Sequence, residues 1–249
     1  MMIGKMKRKL ERVLMLRTKG SPNFAQFGQN SSSGYLGSGE VGDVEYVTKK
    51  ARQRMALAAA PGKCILVTGP PGVGKTTLIT RLFDTLKASS PNVNIQGFYT
   101  REIRERSERV GFEVVTLDGR TAPLASTTTS GPESLRWPTV GKYKVDVASF
   151  ESLALPELQV REDTDLFIID EVGRMELYSS SFFPAVLNVL ESHIPVLASI
   201  PIPKFGRDIP GVARLRNHPG ATIFTLSQSN RDAVKEEVYS ILVDKISKH

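Results

Sequence analysis

Gly69-Pro70-Pro71-Gly72-Val73-Gly74-Lys75-Thr76 stands between an apolar run at residues 64–68 and a segment, 75–86, with Leu78, Ile79, Leu82, Phe83 and Leu86 at helical spacing. The octet fits G-x-x-x-x-G-K-[ST], and its chemistry needs these residue types. Successive backbone N–H groups must curl around phosphate oxygens, and glycines permit that curvature and close approach. The helix that opens at the lysine points the positive end of its dipole at the anion. Lys75 is placed to reach the β- and γ-phosphates, and the Thr76 hydroxyl to ligate Mg²⁺. A random chain of this length matches the pattern about once in a hundred, so the strand before it and the amphipathic helix after it matter. A Gly/Pro turn between strand and helix is the bland alternative.

A second stretch supports the first. Leu166-Phe167-Ile168-Ile169-Asp170-Glu171 is an apolar strand that ends in two acids. Strand C-termini of a parallel sheet lie beside the phosphate loop, so Asp170 can reach the Mg²⁺ shell. Glu171, one residue on, can polarise an attacking water as general base.

The pattern around these stretches alternates short apolar runs with helical segments. Strands are expected at 64–68, 95–100, 166–170, 195–200 and 222–226, and helices at 75–86, 150–158, 182–190 and 232–246. Residues 101–103 and 111–117 read as arms of a β-ribbon around a charged tip at 104–109. Residues 119–138, rich in Thr, Ser, Gly and Pro, read as a surface loop. Apolar strands without polar alternation, spaced by helices, indicate a mainly parallel sheet covered on both faces, with right-handed crossovers. The fold class is α/β, a three-layer sandwich with a β-ribbon insertion.

The chain divides in two. Residues 1–61 carry 11 Lys/Arg against 4 Asp/Glu, while residues 62–249 carry 22 of each. The net charge of +7 therefore belongs to the N-terminal segment, which removes most of the argument for a nucleic-acid-binding body. Residues 1–17 space Ile3, Met6, Leu10, Val13 and Leu14 helically among basic residues. Residues 21–39 are rich in Ser, Gly and Asn, a flexible linker, and 48–60 read as an Ala-rich helix. A basic amphipathic start before an acid-poor, Ser-rich stretch is the pattern of an organelle transit peptide; a disordered cytosolic extension is the alternative. The compartment is thus cytoplasmic, or an organelle (mitochondrion or plastid). The single cysteine, Cys64, excludes a disulfide framework and reads as a buried core residue. No run of about 18 apolar residues suggests a membrane span, and the absence of a long apolar seam favours a monomer.

Seven segments occur in order: GPPGVGKTTL (69–78), GFYTREIRE (97–105), GFEVVTLDG (111–119), FESLALPEL (150–158), IIDEVGRMEL (168–177), ASIPIPK (198–204) and SNRD (229–232). Together they resemble a small nucleoside-triphosphatase family, that of the cancer-related nucleoside-triphosphatase and its thermophile relatives. The resemblance runs from about residue 63 to the C-terminus and leaves residues 1–61 outside. It implies a single phosphate-binding-loop NTPase domain of RecA-like fold. It also implies Mg²⁺-dependent hydrolysis of ATP, GTP, CTP and other nucleoside triphosphates to the diphosphate and phosphate, with poor base selectivity. Carried over by position, the nucleotide site comprises Gly69, Pro70, Pro71, Gly72, Val73, Gly74, Lys75, Thr76 and Thr77, then Leu166, Phe167, Ile168, Ile169, Asp170, Glu171, Val172 and Gly173. Where this chain has Arg174, family members often have lysine, which keeps the charge and changes the donor geometry.

Charge develops on the γ-phosphoryl oxygens during transfer, so a cation there is valuable. Arg101, Arg104, Arg174 and Arg231 are the candidates, with surface ion pairs as their alternative use. Lys75, Glu171 and Arg174 form the expected catalytic set, and Thr76 and Asp170 the metal set. Arg231, at the start of the last helix, is placed for base or ribose, and Asn230-Arg231 for that contact or for capping the helix. His193, His218 and His249 show no ligand or triad spacing and read as surface residues. Trp137 reads as core rather than as a base-stacking residue. Two other functions share the loop. A nucleotide or small-metabolite kinase would need an acceptor pocket and an Arg-rich lid. A nucleotide-dependent switch acting with nucleic acid has the basic N-terminus as its only support.

Overall fold

The computed structural model describes residues 63–129 and 131–247. The readings made for residues 1–61 and for His249 lie outside them. Nine strands form one sheet: β1 (Cys64–Gly69), β2 (Ile95–Glu105), β3 (Glu108–Thr116), β4 (Thr121–Ser126), β5 (Thr139–Val140), β6 (Tyr143–Val145), β7 (Leu166–Asp170), β8 (Val196–Pro201) and β9 (Ala221–Thr225). The helices are α1 (Lys75–Ser89), α2 (Val147–Glu157), α3 (Phe182–Glu191), α4 (Pro210–Arg216) and α5 (Arg231–Ile246), with 3₁₀ turns at Glu133–Arg136 and Glu176–Tyr178.

The strand order is β5-β6-β4-β3-β2-β7-β8-β1-β9. The half from β2 to β9 is parallel and the half from β2 to β5 is antiparallel. Side chains alternate between two cores, which is why β1 and β7 are apolar throughout. Cys64, Leu66, Phe167 and Ile169 face the layer of α2, α3 and α4, whereas Ile65, Val67, Leu166 and Ile168 face α1 and α5. In the first layer Phe98, Phe150 and Phe182 pack edge to face or tilted, with ring centres 5.1 to 6.0 Å apart. Such aromatic pairs are worth about 0.5–1.5 kcal/mol beyond the area they bury. Leu78, Ile79, Leu82 and Leu86 of α1 fill the second layer, as their spacing predicts. Cys64 is buried, and burial pushes its thiol up to about 12, so it packs as a small apolar group.

The ribbon is longer and tighter than expected. β2 runs unbroken from the parallel sheet into the hairpin, so 95–100 and 101–103 are one strand. Its tip is a two-residue turn, Arg106-Ser107, with both φ values positive (46° and 73°). Residues 119–138 are not all loop, because they include β4 and a 3₁₀ turn. Pro123 hides this strand, since proline donates no ladder bond. It sits where the β3–β4 register shifts, opposite Glu113. The short helix α4 and the small strands β5 and β6 also escaped the periodicity. Trp137 is half-buried at the end of the first 3₁₀ turn rather than in either core, and its neighbour Leu135 is 79% exposed. His193 is exposed and His218 half-buried, its Nδ1 accepting the Gly220 N–H. Among the described residues no helix is long and apolar enough to cross a membrane.

Candidate active site

The loop between β1 and α1 has the curved backbone expected of an anion cradle. It is held down by Val73, which is 6% exposed and packs into the α1–α5 core while its N–H donates to Pro70 O. Gly72 (φ 76°) and Gly74 (φ 98°) adopt the left-handed backbone that turns successive amides the same way. A Cβ on Gly72 would meet nothing within 4 Å, so that face of the loop is open. Pro70, Pro71 and Gly72 are exposed, and Gly69 ends β1 against Leu226 O. Helix α1 starts at Lys75 with no acidic residue in its first turn, leaving its N-terminal amides and dipole for an anion. Thr76 lies half-buried and Thr77 exposed on that first turn.

Lys75 Nζ stands 3.5 Å from Gly69 O and 3.3 Å from Glu171 Oε2. The predicted lysine and the predicted base are thus brought into one ion pair at the mouth of the loop. The Asp170–Glu171 peptide is cis.

Asp170 is 1% exposed. Its Oδ1 accepts the Ser199 hydroxyl from β8, and its buried Oδ2 has no hydrogen-bond partner among the described residues. Burial pushes the carboxyl up to about 6; the hydroxyls of Ser199 and Thr76 oppose this, the Glu171 charge adds to it and the Lys75 charge opposes it. A buried carboxylate with one free oxygen, beside a threonine hydroxyl and an open anion cradle, fits a divalent cation. The cation's charge would reverse the desolvation penalty. Among the described residues no group of three or more His, Cys, Asp or Glu could hold a metal.

Leu166, Phe167, Ile168 and Ile169 are 0% exposed. They lie in the two cores and carry Asp170 to the C-terminal end of the parallel strands. Val172 is likewise buried, with its N–H on Ser199 O. Gly173 permits two carboxylates to converge: a Cβ there would lie 2.5 Å from Glu171 Oε1 and 3.0 Å from Glu176 Oε2. Glu176 Oε2 accepts the Gly173 N–H at 3.1 Å, and burial, then the charge of Glu171, lifts the Glu176 carboxyl to about 8.

Of the four arginines, Arg174 is exposed on the loop after Glu171 and has no ion pair among the described residues. Arg231 borders the cradle, its Nε 3.7 Å from where a Gly74 Cβ would stand. Asn230 does not cap α5; its amide closes the preceding turn, accepting Ser227 N–H and donating to Thr225 O. Arg101 pairs with Glu113 at 2.7 Å, and Arg104 with Glu102 at 2.6 Å. Arg109 also binds Glu102, beside the Tyr143 and Phe112 rings.

The sequence reading missed Ser199, Glu176 and Glu113. Ser199 left a usable signal, because a hydroxyl inside the apolar run of β8 must find a buried acceptor. Glu176 stood inside a quoted segment without a role.

The sequence profile of the NTPase family matches residues 64–239. The chain belongs to this NTPase family. It is 39% identical over 180 residues to the human cancer-related nucleoside-triphosphatase, covering 70% of this chain and 93% of that protein. It is 40% identical over 179 residues to nucleoside-triphosphatase THEP1 of Thermotoga petrophila, covering 72% and 92%. The fold agrees with two solved members of the family. The crystal structure of Aquifex aeolicus THEP1 superposes with a TM-score of 0.61 at 34% identity, over 72% of this chain and 98% of that one. The solution structure of the human protein gives 0.61 at 37% identity, over 72% and 97%. These findings give the chain the phosphate-binding-loop NTPase fold and the NTPase enzyme class.

Proposed function

We propose that this NTPase hydrolyses nucleoside 5′-triphosphates, ATP, GTP and CTP among them, to the diphosphate and phosphate with Mg²⁺. The observation that carries the reading is the Lys75–Glu171 pair at 3.3 Å, a polyphosphate-binding cation beside a half-buried carboxylate. The backbone N–H groups of Gly72, Gly74, Lys75 and Thr76 and the α1 dipole bind the phosphates. Lys75 turns from Glu171 to the β- and γ-oxygens, which frees Glu171 to orient water. The water oxygen bonds to the γ-phosphorus, its proton passes to Glu171, and the bond to the β-bridging oxygen breaks with its electron pair on the diphosphate. Arg174, on the same loop as Glu171, supplies a cation for the charge developing on the γ-oxygens. Thr76 and Asp170 would hold Mg²⁺, which would supply positive charge to neutralise the phosphates. Arg231 offers a guanidinium to base or ribose; such a planar cation stacks without reading a hydrogen-bond pattern, which supports broad base tolerance.

Against a kinase stands the ribbon. The segment that would act as an Arg-rich lid gathers Arg104 and Arg109 on its own Glu102. The neutral charge balance of residues 62–249 supports action without nucleic acid. The residues read as an extension, 1–61, set the compartment; fused to a fluorescent protein, the first 40 would distinguish cytoplasm from organelle.

The test is phosphate release from Mg-ATP, Mg-GTP and Mg-CTP without any acceptor. Comparable turnover of all three is expected. Phosphate transfer only after addition of a nucleotide or metabolite acceptor would establish the kinase instead, and dependence on RNA or DNA the switch.

A further inference from the structure

Arg101 and Glu113 lie on the stretch of ribbon that continues past the end of β7. The ladder fixes the side on which they stand. Tyr99 of β2 pairs in parallel with Asp170, the last residue of β7. Paired residues of neighbouring strands share a sheet face, and residues two apart along a strand return to it. The β2–β3 register shifts only beyond Ile103, so the parity holds at Arg101. Arg101 therefore stands on the face that carries Asp170, α1 and the phosphate cradle. With strands about 4.8 Å apart and a rise of about 3.3 Å per residue, its Cα lies about 8 Å from that of Asp170.

The side chain is held but not buried. Arg101 Nε donates to Glu113 Oε1 at 2.7 Å, with the arginine side chain 54% exposed. The hydrogen bond to Glu113, and then the charge of Glu113, raise the Arg101 pKa. Arg104 and Arg109 differ, because both are gathered on Glu102, and Arg109 is also packed on the Tyr143 ring. An exposed Arg–Glu pair is weak and screened, so a triphosphate with more charge can take the arginine from the glutamate.

We propose that Arg101 is a catalytic arginine of this site, parked on Glu113 and drawn to the γ-phosphoryl oxygens as the bond to the diphosphate breaks. The proposal rests on the hydrolase reading above and adds a second cation to it, from the ribbon rather than from the loop of Arg174. Arg101 keeps its protons throughout; its guanidinium exchanges one carboxylate acceptor for γ-oxygens that carry most charge in the transition state. Glu113 thereby sets how much of the arginine is available.

The experiment measures single-turnover phosphate release at saturating Mg-ATP. It also measures binding of Mg-ADP with and without aluminium fluoride, which mimics the transferring phosphoryl group. The variants are Arg101→Ala, Arg101→Lys, Glu113→Gln and the double variant Arg101→Ala/Glu113→Gln. Arg101→Ala is expected to lower the rate by roughly 10²-fold, as for loss of one charge-stabilising donor. It is expected to lose the tightening by aluminium fluoride while binding Mg-ADP as before, which also shows that the variant is folded. Arg101→Lys recovers only part of the rate, because the ammonium lacks the planar fork. Glu113→Gln, which frees the arginine, raises the rate, and the gain vanishes in the double variant. Arg101→Ala within threefold of the wild type, or a Glu113→Gln effect that survives in the double variant, would overturn the proposal while leaving the hydrolase reading intact. A wild-type chain that releases no phosphate would overturn both.

Discussion

Lys75 Nζ and Glu171 Oε2 stand 3.3 Å apart, joining the end of the phosphate loop to the residue after β7. Each is therefore the other's partner in the free chain. In the reaction proposed above the lysine shields the carboxylate that would serve as base, and a triphosphate that takes the lysine would unmask it. Substrate binding and base activation are one exchange of charge partners.

Glu171→Gln keeps the shape of the side chain and removes its charge. Nucleotide binding should hold or tighten, because Lys75 no longer has a competing partner. Phosphate release should fall by roughly 10²–10⁴-fold, the range for loss of a general base. Titration with a non-hydrolysable triphosphate and a rapid-quench rate measure the two effects separately. An active variant would remove Glu171 from the role of base.

Lys75→Ala removes the cation that draws the phosphates into the loop. Affinity for Mg-ATP should drop well beyond that for Mg-ADP, because the lysine reaches the γ-phosphate. Equal losses for the two nucleotides would place the lysine elsewhere on the ligand.

Gly97 of β2 has φ 127°, and a Cβ there would sit 1.8 Å from Ile168 O. Gly97→Ala must push β2 from β7, two residues before Asp170 and its partner Tyr99. A loss of at least about 2 kcal/mol is expected, in the range of strained or overpacked core substitutions, read as a lowered denaturation midpoint. A midpoint within error of the wild type would show that the two strands tolerate separation.

How much of this was legible in the sequence follows from the kind of signal each residue leaves. The loop of residues 69–76 and the acids at 170 and 171 sit at the junctions of apolar runs, so pattern alone places them at strand ends. Their meeting is a consequence of parallel strands. The paired glutamates of the ribbon were invisible, because Arg101 and Glu113 are twelve residues apart and meet only through the β2–β3 register. Glu176 carried no sign of a role in the sequence. Its burial comes from the turn at Gly173, which folds it back beneath the loop. β4 was lost to Pro123, and α4 is seven residues long, too short for a period to declare itself.

Glu176 makes stability depend on pH. Burial, with the Glu171 charge added, raises its carboxyl from 4.5 to about 8. The folded chain therefore holds a proton that the unfolded chain releases, so stability is full below about 4.5 and is lost as pH rises through about 8. Asp170 has the same sign over 3.8 to about 6, and Lys63, lowered by burial from 10.5 to about 8, has the opposite sign above 8, so the interval from about 6 to about 8 reports mainly on Glu176. Glu176→Gln keeps an acceptor for the Gly173 N–H and cannot ionise. Its melting temperature should fall less than that of the wild type across that interval. Parallel curves would assign the decline to other groups.

The fate of oxygen atoms tests the account most directly. Wild-type protein is given Mg-ATP in ¹⁸O-labelled water without an acceptor, for a single turnover, and both products are weighed. Attack of water on the γ-phosphorus predicts phosphate carrying one solvent oxygen and ADP carrying none. Label in the ADP, or no phosphate until an acceptor is supplied, would contradict hydrolysis at this site.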